Sequence, residues 1–387
     1  MNREFNTFTI NKLLRIIVFI FIDTFFSVYF FNLVNYDLLP IAIYNLFIYV
    51  GLFSLFYLIK NLMKKGLKRE LYQIGISLTG LYLLLILLLK ENIVNYIIIL
   101  GLVNGLGQGF YYYPTNIYDT ELISNKDRDK YTGYLNMINM VLNIFVPIVL
   151  GLVLSKLSYI TVGKIIIVII VLMYFLGFFL KRKIVKTTKF ELAEFWKYFK
   201  NDFKKLIVIR YLEGLTYSSS AIALVITYYS ILYLNNNLYI GILTSIQGIL
   251  ALFTCLLFTK RNKRYDKKII NISNLLITIS LITLFIKTNM YSLCFYLLIQ
   301  NSLLIYVQLI NKNNVSNITN NYKEIKNKYK EEYHLVMELI LNIGRITGFI
   351  ILILISLLKN IVYLKIIIAV SVVFYFILLY LLKDLNE

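Results

Sequence analysis

Apolar residues run in long stretches separated by short polar ones. They fall at about 13–34, 38–59, 71–89, 94–115, 131–154, 163–180, 206–233, 238–259, 269–286, 291–310, 332–357 and 361–382. Each is close to the ~20 residues that an α-helix needs to cross a bilayer. Backbone N–H and C=O groups find no water in hydrocarbon, so these stretches are predicted to be helices. The period-two strands of a membrane barrel would be about half as long. The pattern therefore predicts an all-α integral membrane protein with 12 transmembrane helices. The first apolar run is longer than a signal-peptide core, and no small-residue cleavage site follows it. It is expected to stay as a membrane span.

The polar stretches carry a second pattern. The chain holds 40 Lys and Arg against 20 Asp and Glu, a net charge of +20, yet only 16% of its residues are charged and 59% are apolar. That composition excludes a disordered chain, a disulfide scaffold and a typical cytosolic enzyme. With the N-terminus taken as cytoplasmic, 31 of the 40 basic residues fall on inner segments, six on outer ones and three (Arg15, Arg210, Arg345) within spans. This is a positive-inside distribution, which places both termini in the cytoplasm. The charge thus reads as topology, and no nucleic-acid partner is expected. Cys255 and Cys294 lie in apolar runs and His334 is the only histidine, so no zinc set can be built and no cofactor is expected. Abundant Asn, Ile, Lys and Tyr hint at an AT-rich bacterial genome, hence a cytoplasmic (plasma) membrane.

The chain also reads as two halves. Short basic loops follow spans two and eight, Lys60 to Arg69 and Lys260 to Lys268, 200 residues apart. Val141-Leu142-Asn143-Ile144 returns as Ile340-Leu341-Asn342-Ile343. The expected organisation is a six-helix bundle over 1–180, a basic linker over 181–205 and a second six-helix bundle over 206–387. In the linker, Thr188-Lys189-Phe190-Glu191 has the form of a capping box. Leu192, Phe195, Trp196, Phe199 and Phe203 follow at helical spacing. They predict an amphipathic helix, lying on the inner membrane surface or packed on the bundle's cytoplasmic face.

A 6+6 bundle with a basic central loop resembles the major facilitator superfamily (MFS), and a poorly characterised bacterial group within it. Lys64, Gly66, Lys68 and Arg69 match the second part of its loop between spans two and three; Ile59 and Met63 stand at the glycine and aspartate positions of the first part. Gln108 and Gly109 match span four, with Gly105 at its arginine position, and Pro147 and Gly151 match span five. Phe110-Tyr111-Tyr112-Tyr113 running to Asn116 and Lys126–Tyr131, and Glu338 to Arg345 in span eleven, resemble the bacterial group. The resemblance implies solute transport by alternating access, with spans one, four, seven and ten lining the cavity. It carries over neither the loop carboxylate nor the span-four arginine.

An ionisable residue at bilayer depth is a functional candidate by default. Asp23 sits near the middle of span one, as a proton site, a counter-ion for a cationic solute or one half of a structural ion pair. Arg345 in span eleven could bind an anionic group, or neutralise Asp23 or Glu338. Arg210 and Glu213, three apart in span seven, face each other as a local pair or a cytoplasmic gate. Asn104, Gln108, Tyr112, Tyr217, Gln247, Gln300 and Gln308 are candidates to line the cavity. Gly101, Gly105 and Gly109 form a small-residue stripe in span four, and Gly344 and Gly348 another in span eleven, where helices can approach closely. Pro147 is a candidate hinge in span five.

The function expected is a secondary active transporter for a small solute, with ion- or proton-coupled efflux of amphiphilic compounds as its finer form. A non-transporting sensor or assembly factor on the same fold is the alternative, and a membrane-embedded enzyme a weaker one. The expected partners are a small-molecule solute, the lipid bilayer and a proton or ion as co- or counter-substrate, with the chain as a monomer.

Overall fold

A computed structural model describes residues 3–64, 67–122, 128–180, 192–216, 220–234, 236–259, 266–304, 306–307, 329–358 and 361–385. The described residues form helices and no strands. They are α1 (Arg3–Ile20), α2 (Ser27–Leu33), α3 (Leu38–Lys64), α4 (Lys68–Leu89), α5 (Ile97–Leu122), α6 (Arg128–Leu154), α7 (Tyr159–Gly177), α8 (Leu192–Asp202), α9 (Lys204–Thr216) and α10 (Ala221–Leu234). Then come α11 (Asn237–Thr259), α12 (Asp266–Ile286), α13 (Met290–Ile299), α14 (Lys330–Ser356) and α15 (Leu364–Leu385). Among the described residues, nine helices are long and apolar enough to cross a bilayer. Three shorter apolar helices, Ile138–Leu154, Met290–Ile299 and Leu364–Leu378, complete the expected twelve.

The chain divides into two compact units. Unit 1 holds Met1–Thr187 and Leu234–Gly248; unit 2 holds Thr188–Tyr233 and Ile249–Glu387. In unit 1, α5 packs along both α3 and α4, while α7 packs on α1 and α4. In unit 2, α9 packs on α14 and α15, and α12 on α13 and α15.

Glycine seams let main chains touch in both units. A Cβ on Gly105 of α5 would strike the carbonyl of Ile48 in α3, and one on Gly101 would come within 2.5 Å of the Tyr44 carbonyl. In unit 2, Gly214 of α9 and Gly344 of α14 face each other: a Cβ on Gly344 would strike the Tyr211 carbonyl, and one on Gly214 would lie 3.0 Å from the Gly344 Cα. Gly109 lies against a side chain, Leu55, rather than main chain. Gly348 has ordinary contacts, with Leu215 at 3.4 Å and Ala221 at 3.6 Å, so the close approach in α14 belongs to Gly344 alone. Pro147 lies inside α6, and its carbonyl abuts Gly241 of α11.

Three features depart from the hydropathy pattern. The first helix begins at Arg3, not near residue 13. Its polar early turns are tied down, with Glu4, Thr7 and Asn11 all buried. Span one is not uniformly α-helical: residues Phe21–Phe26 form a π turn between α1 and α2. A second π turn, Gln300–Leu304, follows α13. The linker helix is α8, and it packs on unit 2: Phe195, Phe199 and Phe203 join a core with Tyr329, Tyr333, Val336, Met337 and Ile340. The capping-box residues 188–191 lie outside the described residues.

Candidate functional site

The polar groups of unit 1 gather around span one. Asp23 lies in the π turn, flanked by the buried Phe21, Ile22, Phe25 and Phe26, yet is itself exposed. A carboxylate this far along a membrane helix is costly in hydrocarbon, which makes Asp23 a candidate site residue. The π turn widens the helix by one residue and re-aims what it carries, a common device at functional positions. The Ser27 hydroxyl donates to the Asp23 carbonyl at 2.7 Å.

Arg15 stands on the same helix, eight residues earlier. It is 5% exposed. Its NH1 donates to Thr79 Oγ1 at 2.9 Å, and that hydroxyl donates onward to the Gly75 carbonyl at 2.9 Å. The guanidinium carbon sits 4.7 Å from the centroid of the Tyr111 ring. Nε has no partner. Among the described residues no carboxylate lies within ion-pair distance of Arg15. Its charge is held by a hydroxyl and an aromatic face, and its field acts on the Asp23 carboxylate.

A hydrogen-bonded chain runs beside this pair. Gln108 Nε2 donates to Asn104 Oδ1 at 3.2 Å, and Asn104 Nδ2 donates to the Tyr44 hydroxyl at 2.8 Å. The Tyr44 and Tyr82 hydroxyls share a hydrogen bond, their rings stacked at 6.4 Å. Phe26 of the π turn packs edge-on against Tyr82 at 5.9 Å. An amide does not relay protons as a hydroxyl does. The chain is therefore a frame that fixes Asn104 and Gln108, not a proton wire. Tyr112, one turn beyond Gln108, is 39% exposed and meets Phe19 edge-on at 6.5 Å.

Unit 2 is built differently. Arg210 of α9 donates through NH1 to Glu213 Oε2 at 2.8 Å and through NH2 to Glu338 Oε1 of α14 at 2.7 Å. Its Nε reaches the Met337 carbonyl at 3.3 Å. Glu213 is the more enclosed carboxylate, 11% exposed against 44% for Glu338. Glu338 is thus paired with Arg210 between α14 and α9. Arg345 donates to Asn342 Oδ1 at 3.1 Å, while Asn342 Nδ2 donates to the Glu338 carbonyl at 3.0 Å. These links bind α14 to itself and α9 to α14.

Of the other candidates, Gln247 in α11 is half-buried. Gln300 opens the second π turn and is also half-buried. Tyr217 and Gln308 lie outside the described residues. The sequence reading passed over Arg15, Thr79, Tyr44, Tyr82 and Asn342. Arg15 alone left a signal, as a charge inside an apolar run, eight residues before Asp23.

A bundle of twelve membrane-crossing helices in two units, its few interior charges hydrogen-bonded or exposed at helix distortions, has the fold of a polytopic membrane transporter. The chain belongs to the Major Facilitator Superfamily, whose family model matches residues 13–311. It is similar to the uncharacterized protein YqgE of Bacillus subtilis (strain 168), at 29% identity over 149 residues, which are 38% of this chain and 35% of that protein. The match thus spans about a third of that relative's length. Among solved structures, a bacterial homologue of the iron transporter ferroportin in an inward-facing state superposes with a TM-score of 0.76 at 14% identity, covering 99% of this chain and 98% of that one. The nucleoside transporter NupG superposes at 0.73 with 13% identity, over 100% of both chains. At these identities the likeness is one of fold.

Proposed function

We propose that this chain is a proton-coupled secondary transporter that exports small amphiphilic cations across a bacterial cytoplasmic membrane by alternating access, with Asp23 occupied in turn by a proton and by the solute's positive charge. The observation that carries this reading is the exposed Asp23 carboxylate in the π turn, on the same helix as the acid-free Arg15 guanidinium. When Asp23 is ionised the two charges cancel and a cation is tolerated. When Asp23 is protonated Arg15 remains, and the site repels a cation. Eight residues span about 12 Å along a helix axis. At an effective dielectric of about 20, that repulsion is worth about 1.4 kcal/mol, or tenfold in affinity. Tyr112, within electrostatic reach of the carboxylate, and Phe19, packed edge-on against Tyr112, supply aromatic faces. The two halves, 1–180 and 206–387, are the bodies that rock, and both termini with the 181–205 linker face the cytoplasm, as the split of basic residues suggests.

The ferroportin homologue and NupG are named for iron and nucleoside transport, so the assay includes ferrous iron and uridine alongside cationic dyes. Proteoliposomes loaded with a pH-sensitive dye receive each solute from outside. The expected result is a proton flux driven by the cationic dyes and lost in Asp23→Asn. A flux driven by iron or uridine instead, or one unchanged in Asp23→Asn, overturns the proposal. The topology is tested with an impermeant thiol reagent on a single cysteine placed within 181–191. Labelling of intact cells from outside overturns it.

A further inference from the structure

The linker helix α8 has more than one working face. Its phenylalanines are committed to the protein, Phe195 and Phe199 fully buried against Tyr329, the residue before α14, and Tyr333 of α14. Phe203 joins α8 to α9: its N donates to the Phe199 carbonyl at 3.0 Å, and Ile207 N donates to the Phe203 carbonyl at 3.0 Å. Span seven begins at Lys204. α8 therefore ends where the chain enters the bilayer, and it is fixed to that span by a continuous backbone.

Its flanks differ. On one, Glu194 accepts a hydrogen bond from the Tyr329 hydroxyl at 3.3 Å, and Lys197, three residues on, lies about 60° round the helix from it. On the other lies Trp196, the only tryptophan in the chain and 41% exposed. Lys197 and Lys204 are both exposed. They stand on either side of the break at Phe203, Lys197 on α8 and Lys204 at the start of α9. An amphipathic indole beside lysines at the mouth of a span is the chemistry of the headgroup layer, where tryptophan prefers the boundary and lysine the phosphates.

We infer that the exposed surface of α8 and its junction with α9 is a binding site for anionic phospholipid, with the Trp196 indole at the boundary of the acyl chains and Lys197 and Lys204 on the headgroup phosphates. The site is independent of any transported solute. Each lysine near an anionic membrane surface strengthens attachment to it by about fivefold.

The single tryptophan makes the test direct. The full-length protein is reconstituted into vesicles of phosphatidylcholine and phosphatidylglycerol, with bromine on the acyl chains of one lipid or the other at equal amounts. Bromine quenches an indole only at close range. The expected result is Trp196 emission quenched more strongly by brominated phosphatidylglycerol than by brominated phosphatidylcholine. In the Lys197→Gln/Lys204→Gln double variant the two lipids should quench alike, while quenching itself persists. Trp196→Phe should remove the signal. Absence of quenching by either lipid, or equal quenching in the unsubstituted protein, overturns the site. So does a preference for phosphatidylglycerol that survives the double substitution.

Discussion

Arg15 and Arg210 are both arginines in membrane helices, and the two units treat them in opposite ways. Arg210 is clamped between two carboxylates, one on its own helix and one on α14. Arg15 is more deeply enclosed yet has a hydroxyl and an aromatic face for company. A guanidinium neutralised on the spot is a brace. One left with its charge uncancelled projects a field, and the group that receives it is Asp23. The unit 2 cluster neutralises its arginine through direct ion pairs that hold α9 to α14, whereas in unit 1 the Arg15 charge acts on Asp23 only through its field.

The largest expected effect falls on Asp23. In proteoliposomes, Asp23→Asn should reduce solute-driven proton flux to background while changing stability by less than about 0.5 kcal/mol, as for an exposed side chain. If the variant instead unfolds, Asp23 is structural and the contrast between the units collapses. Thermal unfolding can be followed with a thiol-reactive dye, because Cys255 and Cys294 are free and half-buried.

The next effect is steric. Gly344→Val drives a side chain into the main chain of α9 and should cost about 3 kcal/mol or more, whereas Gly348→Val should cost about 1 kcal/mol, because its neighbours are side chains. Equal melting shifts would show that the seam tolerates separation. Arg210→Ala comes third, with a loss of about 1–2 kcal/mol in the same assay, below the value for a fully buried pair because Glu338 keeps water. The flux per folded molecule should be retained, so a brace and a coupling residue can be told apart. The smallest effect is Thr79→Val, about 1 kcal/mol, from loss of the Arg15 hydrogen bond. Combined with Arg15→Met it should be non-additive; strict additivity would mean that Arg15 is held by Tyr111 and Tyr112 without Thr79.

The spans were legible in the sequence because hydrocarbon enforces a single rule on length and polarity, and that rule is written residue by residue. Pairs on one helix were legible too: Arg210 and Glu213 are three apart, and the structure joins them. The carboxylate of Glu338, 128 residues away from Arg210, was not, since hydropathy is blind to which helices are neighbours. The same holds for Tyr44 with Asn104 and for Arg15 with Thr79. The start of α1 at Arg3 was missed because Asn11 and Thr7 look like solvated residues until Asn11 is found donating to the Met173 carbonyl at 2.8 Å. The amphipathic pattern of α8 was read correctly as a helix, but pattern alone left open whether lipid or protein covered its apolar face.

The π turn at Phe21–Phe26 has a consequence for comparing sequences. Such a turn arises when a helix gains one residue without lengthening its path. A relative with an unbroken α-helix in span one is therefore one residue shorter there. A gapless alignment of the two would match every position after the turn to a residue about 100° around the helix from its true counterpart. Asp23 would be paired with a residue facing elsewhere. Deciding whether other transporters share this carboxylate thus requires placing a single-residue gap within these six positions before any column is read as conserved or lost.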